Sequence, residues 1–289
     1  MRLNRFDTSK IKVRSSRARG GARRAGGMGI GAVVIVLIGA LFFGISPEQS
    51  MSVLDSVQSE QAAPQSSSGD MTEEQVCTSG PFAEEACNAL TNLNTTWSRT
   101  FERAGVAFEQ PFLDLYRDGR VTTQGCGSAT SAAGPFYCPA DMGIYIDVGF
   151  YEQLAQMSGT SGDFARLYVI AHEYGHHIQN ITGRARQVRS LQRSNPDLSN
   201  QLQVRMELQA DCYAGVWAGK NRSRIERGDM EEGMRAASSI GDDTLMSRAG
   251  QNINPENFTH GTSRQRMEAL RLGLETADEG ACETYFDFD

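Results

Sequence analysis

The sequence contains no CxxC pair, and this absence argues against both a zinc ribbon and a thioredoxin-like redox site. No segment repeats another, which sets solenoid and propeller architectures aside. Histidine is scarce, with four in 289 residues, so any clustering of it carries information. Basic residues are scarce too once the first 27 positions are set apart. Residues 1–27 hold nine of the 28 Lys and Arg (Arg2, Arg5, Lys10, Lys12, Arg14, Arg17, Arg19, Arg23 and Arg24) against a single acid, Asp7. The remaining 19 basic and 34 acidic residues give residues 28–289 a charge of −15. A body this acidic repels phosphate backbones, and nucleic acid is not expected as its partner.

One long uncharged run is present. Met28 to Ile45 reads MGIGAVVIVLIGALFFGI, 18 residues or about 27 Å as a helix, the lower edge of what crosses a bilayer core. It has no polar stripe and directly follows the basic block, as a membrane anchor does and a core helix does not. Gly44 and Ser46 form a weak small-x-small pattern, so a cleaved signal peptide is the competing reading. As an uncleaved anchor, the run makes residues 1–27 a cytoplasmic tail and places the rest outside the cytoplasm, at the bacterial inner membrane. All six cysteines (Cys77, Cys87, Cys126, Cys138, Cys212, Cys282) lie beyond the run, as disulfides in an oxidising compartment require. Six cysteines allow 15 pairings, among which sequence does not choose. Short separations favour Cys77–Cys87 and Cys126–Cys138, which leaves Cys212–Cys282.

Residues 46–75 read as a linker: 12 of the 25 residues from Ser46 to Asp70 are Ser or Gln, too little apolar content to bury. The folded domain, residues 76–289, begins near Val76. Helical periodicity is expected over 81–104, 162–181, 197–220, 229–249 and 262–277, with Phe82, Ala86, Leu90, Leu93, Trp97 and Phe101 on one face of the first. Between 119 and 149 glycine-rich turns flank short β-like runs, notably Gly143 to Val148. Short strands followed by helices imply an α+β domain with a small sheet.

The segment Ala171-His172-Glu173-Tyr174-Gly175-His176-His177 contains HExxH. Residues i and i+4 of a helix lie about 40° apart, so His172 and His176 can grip one ion while Glu173 reaches water beside it. Isolated histidines on an apolar helix are ordinarily core residues; two at ligand spacing with Glu between them point to metal. A catalytic zinc needs a third protein ligand and an open position. His260 is one source; the other is Glu207, 31 residues after His176, with Asp211 one turn further on to hold a ligating imidazole. Glu207 and Asp211 alone would read as a solvated acidic face. Cys212 and His177 are each turned about 140° from their would-be partners, which suits a disulfide and a packing role. Gly175 in mid-helix suggests close approach of another element.

HEYGHHIQN, ELQADCYAG, THGTSRQR and GPFYCPAD, in a chain with an apolar amino-terminal run, resemble the bacterial neutral zinc metallopeptidase family (YpfJ-like). Within the wider gluzincin group the chain is similar to thermolysin and the HtpX-like membrane peptidases, which pair HExxH with ExxxD. The resemblance implies a zincin-like domain, Zn2+ on His172, His176 and Glu207, Glu173 as catalytic base and Asp211 behind a ligating histidine. It also implies that His260 and Arg266, six apart, border the active site, with one of them steadying the oxyanion, although Gly261 stands where proline is usual. Enzymes of this kind bind substrate backbone along a sheet edge, for which Gly143 to Asp147 is the candidate. The expected function is a membrane-anchored peptidase acting on proteins or peptides. A zinc-bound scaffold that cleaves nothing is the other class, and it would have no use for Glu173.

Overall fold

A computed structural model of the chain describes residues 1–16, 71–117 and 119–287. The apolar run 28–45 and the Ser/Gln-rich stretch 46–70 lie outside them. Among the described residues no helix is long and apolar enough to cross a membrane.

The architecture is α+β, mostly helical with a small sheet. After a short helix α1 (Glu73–Cys77), helix α2 (Pro81–Arg103) begins with proline in its first turn, where the missing N–H costs nothing. Its buried stripe, Ala86, Leu90, Leu93, Trp97 and Phe101, follows the 3.6-residue period. Strands β1 (Val13–Arg14), β2 (Phe112–Tyr116), β5 (Phe136–Cys138) and β6 (Gly143–Asp147) form a sheet in the order β1-β2-β6-β5, with only β5 antiparallel to its neighbour. Strands β3 (Arg120–Thr122) and β4 (Ser128–Thr130) make a separate hairpin ladder. Helices α3 (Phe150–Ser158), α4 (Asp163–Ile181), α5 (Arg184–Ser194), α6 (Ser199–Lys220), α7 (Asp229–Ser239), α8 (Asp242–Arg248) and α9 (Ser263–Thr276) complete the domain. Three disulfides join Cys77 to Cys87, Cys126 to Cys138 and Cys212 to Cys282, the pairing that the short separations favour.

Three expectations are corrected. The run expected to be one helix over 229–249 is two, α7 and α8, broken at Ile240-Gly241. Gly241 is extended (φ −72°, ψ 145°), and a side chain there would stand 2.3 Å from the Ser263 backbone nitrogen, so only glycine fits where the break meets the start of α9. Strand β6 is not an edge: it pairs with β2 on one side and β5 on the other, so its ladder is saturated and cannot take a peptide. The sheet edge beside α4 is β5, three residues of GPFYCPAD.

The third correction concerns residues 1–16, which are part of the domain and not a separate tail. Val13 pairs with Leu113 and Arg14 with Asp114 in parallel register. Met1, Phe6, Ile11 and Val13 are buried in the main core, and apolar side chains of this size contribute roughly 1.5–3 kcal/mol each on burial. The polar groups are matched as well. Asn88 accepts from the Phe6 N–H (2.7 Å), Asn94 donates to the Lys10 carbonyl (2.7 Å), and the buried Asp114 carboxylate receives Arg14 Nε (2.7 Å) and both the N–H and hydroxyl of Ser16 (2.9 and 2.6 Å). Arg2 and Arg5 meet Glu226 and Glu74 of the acidic body. Within these 16 residues the positive charge is largely complementary to the surface it covers.

Candidate metal centre

Helices α4 and α6 cross where Gly175 meets Ala210. A Cβ on Gly175 would lie 2.8 Å from the Ala210 Cα and carbonyl oxygen, so only glycine permits this approach. On its other side α6 is backed by α9, again through glycine: a Cβ on Gly273 would fall 1.9 Å from the Cys212 carbonyl oxygen. Three helices therefore stack with almost no space between backbones, and the side chains flanking the first crossing converge.

His172 Nε2 lies 3.2 Å and His176 Nε2 3.5 Å from the same Glu207 oxygen, Oε2. One ligand atom from each of the three residues falls within 4.8 Å of the others, and the set is buried or nearly so. The remaining atoms of each group are held from behind. Asp211 Oδ1 sits 2.7 Å from His172 Nδ1, Gln179 Oε1 sits 2.9 Å from His176 Nδ1, and Gln203 donates to Glu207 Oε1 at 2.8 Å. With carboxylate and amide oxygens engaging Nδ1 of both rings, it is Nε2 of each that turns inward, the nitrogen that binds a metal once its own proton is displaced. Two imidazole nitrogens and one carboxylate oxygen are the donor set of catalytic zinc sites, so these residues fit that ion.

The electrostatics are divided. Burial alone would lower the His172 imidazole, but the Asp211 carboxylate and the hydrogen bonds to Asp211 and Glu207 push it up to about 10. Burial raises the Glu207 carboxyl, and the charges and hydrogen bonds of His176, His172 and His260 outweigh it, holding it well below the usual carboxylate range. Glu173, seven per cent exposed, is raised by burial and only partly pulled back by the two imidazoles. Its carboxylate is thereby a stronger base than one in water.

His260 and Arg266 take different places. The His260 ring is held by Asp242 (Nδ1 to Oδ1, 3.1 Å), whose other oxygen collects the backbone N–H groups of Thr259, His260 and Gly261. Gly261 has φ of +88°, a conformation closed to proline, which accounts for the departure from the family pattern. Arg266 is on the far side of His172. Its Nε and Nη2 bind Asp211 at 2.8 and 3.0 Å, and Nη2 is 3.4 Å from His172 Nδ1, the nitrogen turned away from the triad. The expectation that Arg266 could face an oxyanion is corrected: it is two per cent exposed and backs Asp211. Tyr168 joins the same network, donating to Asp211 at 2.5 Å and accepting from Arg266 at 3.2 Å.

Sequence reasoning missed Tyr168, Gln179, Gln203 and Asp242. The first three left a signal, being one helical turn from His172, His176 and Glu207 on the same faces. Asp242 left none, since it acts across 18 residues on a different element. His177 and Cys212 sit where helical geometry put them, in packing and in a disulfide. A second acidic group, Asp163, Asp229 and Glu232, surrounds the Met1 ammonium, 2.9 Å from Asp163 and 3.0 Å from Asp229.

An HExxH helix, a carboxylate from a second helix and buried groups fixing their outer atoms define a candidate zinc-hydrolase centre. Residues 4–285 match the family described as "Putative neutral zinc metallopeptidase", and the chain belongs to that family. It is 45% identical to the uncharacterised protein YpfJ of Escherichia coli K12 over 199 residues, covering 68% of this chain and 69% of that one. It is also 39% identical to the uncharacterised protein Rv2575 of Mycobacterium tuberculosis H37Rv over 194 residues, 62% of this chain and 63% of that one. No solved structure matches.

Proposed function

We propose that the protein is a zinc-dependent peptidase held at the membrane by residues 28–45, with its metal centre outside the cytoplasm. The observation that carries the reading is the convergence of His172, His176 and Glu207 with Glu173, a buried carboxylate that a purely structural site would not need. Zinc bound there supplies a Lewis acid that lowers the pKa of water from 15.7 to roughly 7 and polarises the scissile carbonyl. Glu173 takes the proton of the attacking water and returns it to the leaving amine, a contribution of roughly 100- to 10,000-fold. His260, fixed by Asp242, donates to the developing oxyanion. Arg266 and Tyr168 hold Asp211, which holds His172. Substrate backbone adds to the edge of β5, whose outer side has no neighbouring strand among those described.

The three disulfides support a location in an oxidising compartment. The decisive experiment measures zinc content and cleavage of a denatured-protein mixture by wild type, Glu173→Gln and Glu207→Ala. Glu173→Gln is expected to keep zinc and lose cleavage; Glu207→Ala is expected to lose the metal. Undiminished cleavage by Glu173→Gln overturns the mechanism.

A further inference from the structure

The packing of residues 1–16 bears on how the chain meets the membrane. A run that crosses the bilayer once puts the segments before and after it on opposite sides. Here the described segments on either side of Met28–Ile45 are built into one core. Strand β1 closes the β2 edge, and the Leu113 N–H donates to the Lys12 carbonyl at 2.9 Å. If residues 1–27 lay across the membrane, that donor, the fully buried Asp114 carboxylate and the core positions under Phe6, Ile11 and Val13 would all lose their partners. The family match also begins inside this segment, at residue 4.

We propose that residues 1–16 and the metal-centre domain lie on the same side of the bilayer. This builds on the reading of residues 28–45 as membrane-embedded and is independent of whether the metal centre cleaves peptides. The connections are long enough. Eleven residues precede the run and 25 separate it from Met71, reaching up to about 36 and 80 Å when extended. Single-pass insertion and a docked β1 exclude each other, and the matched contacts of β1 favour docking.

All six native cysteines are in disulfides, so an introduced thiol can be read without background. Lys12→Cys and Glu231→Cys, both at exposed positions, are made separately in the full-length chain and treated with a membrane-impermeant maleimide on intact and on permeabilised spheroplasts. The expected result is that both label under the same condition, while the chain resists carbonate extraction from membranes. Labelling of one in intact spheroplasts and of the other only after permeabilisation overturns the proposal. Release by carbonate overturns it as well, and so does a mature chain that starts beyond residue 45. Independently, Arg14→Ala is expected to lower the melting temperature of the detergent-solubilised full chain by roughly 3–6 °C. An unchanged melting temperature argues that β1 is undocked. Zinc content and peptide cleavage play no part in these readouts, so failure here and failure of the peptidase mechanism are told apart.

Discussion

His172 and His177 stand five positions apart on α4, and their surroundings push the two imidazoles in opposite directions. On the face turned to α6, His172 has Asp211 behind it and Glu207 in front, and despite burial it is pushed up to about 10. On the face turned to the sheet, His177 is fully buried, with its Nε2–H donated to the Glu109 carbonyl and its Nδ1 facing the Tyr137 hydroxyl. Burial wins there and lowers it to about 4. The same side chain is thus a candidate metal ligand on one face and a neutral packing group on the other. What separates them is where the neighbouring helix supplies carboxylates, since both sites are dry.

The largest effect is expected from breaking the charged face. Asp211→Asn leaves Arg266 buried without its anion and weakens the hold on His172. The stranded guanidinium should cost on the order of 3–5 kcal/mol of stability, and the lost support should weaken zinc binding roughly 10- to 100-fold. Chemical denaturation and metal titration of the same sample test both. If Asp211→Asn costs no more than a neutral hydrogen bond on the sheet face, the contrast between the two faces collapses.

Acid tests the neutral face. Because the folded His177 pKa is depressed, the unfolded chain takes up its proton first. The stability His177 contributes is therefore fully present above about 6.5 and is lost as pH falls toward about 4. The loss amounts to on the order of 3 kcal/mol, and it should be missing in His177→Gln. Parallel denaturation series from pH 4 to 7 on the two proteins isolate this contribution, since every other titrating group is common to both. Identical pH profiles would mean that His177 is not held neutral by burial.

How far the molecule could be read in advance follows the same division between local and distant. The i, i+4 geometry of an α-helix brings His172 to His176 and Glu207 to Asp211 using only neighbouring positions, so each pair was legible once its helix was recognised. Gly175 was legible as a close approach, though not that Ala210 was its partner. The sheet was not legible to the same degree. Alternation identifies β6 as a strand but says nothing of which strands flank it, and its central place depends on pairings with β2 and β5. Strand β1 has only two residues, too few for any period, and the surrounding charges disguised Phe6, Ile11 and Val13 as a solvated tail. Asp242 was invisible because its bonds to the 259–261 loop exist only after α7 and α8 break at Gly241. The site's ligands were encoded locally; its supports and the substrate-facing edge were encoded by tertiary packing.

The smallest expected effect gives the finest test of the comparison. Tyr137 on β5 joins the sheet edge to α4: its hydroxyl lies 3.0 Å from His177 Nδ1 and accepts from Asn180 at 3.0 Å. Tyr137→Phe removes these bonds without opening a cavity, and about 1 kcal/mol of stability should go with them. Zinc affinity should stay the same, because no link of this network reaches His172, His176 or Glu207. Cleavage should fall through a raised KM with kcat nearly unchanged if β5 binds substrate backbone, since a loosened edge weakens binding without touching Glu173. A variant that loses zinc along with its stability would show that the two faces of α4 are coupled, and that the metal centre depends on the sheet as much as on the helices that carry its ligands.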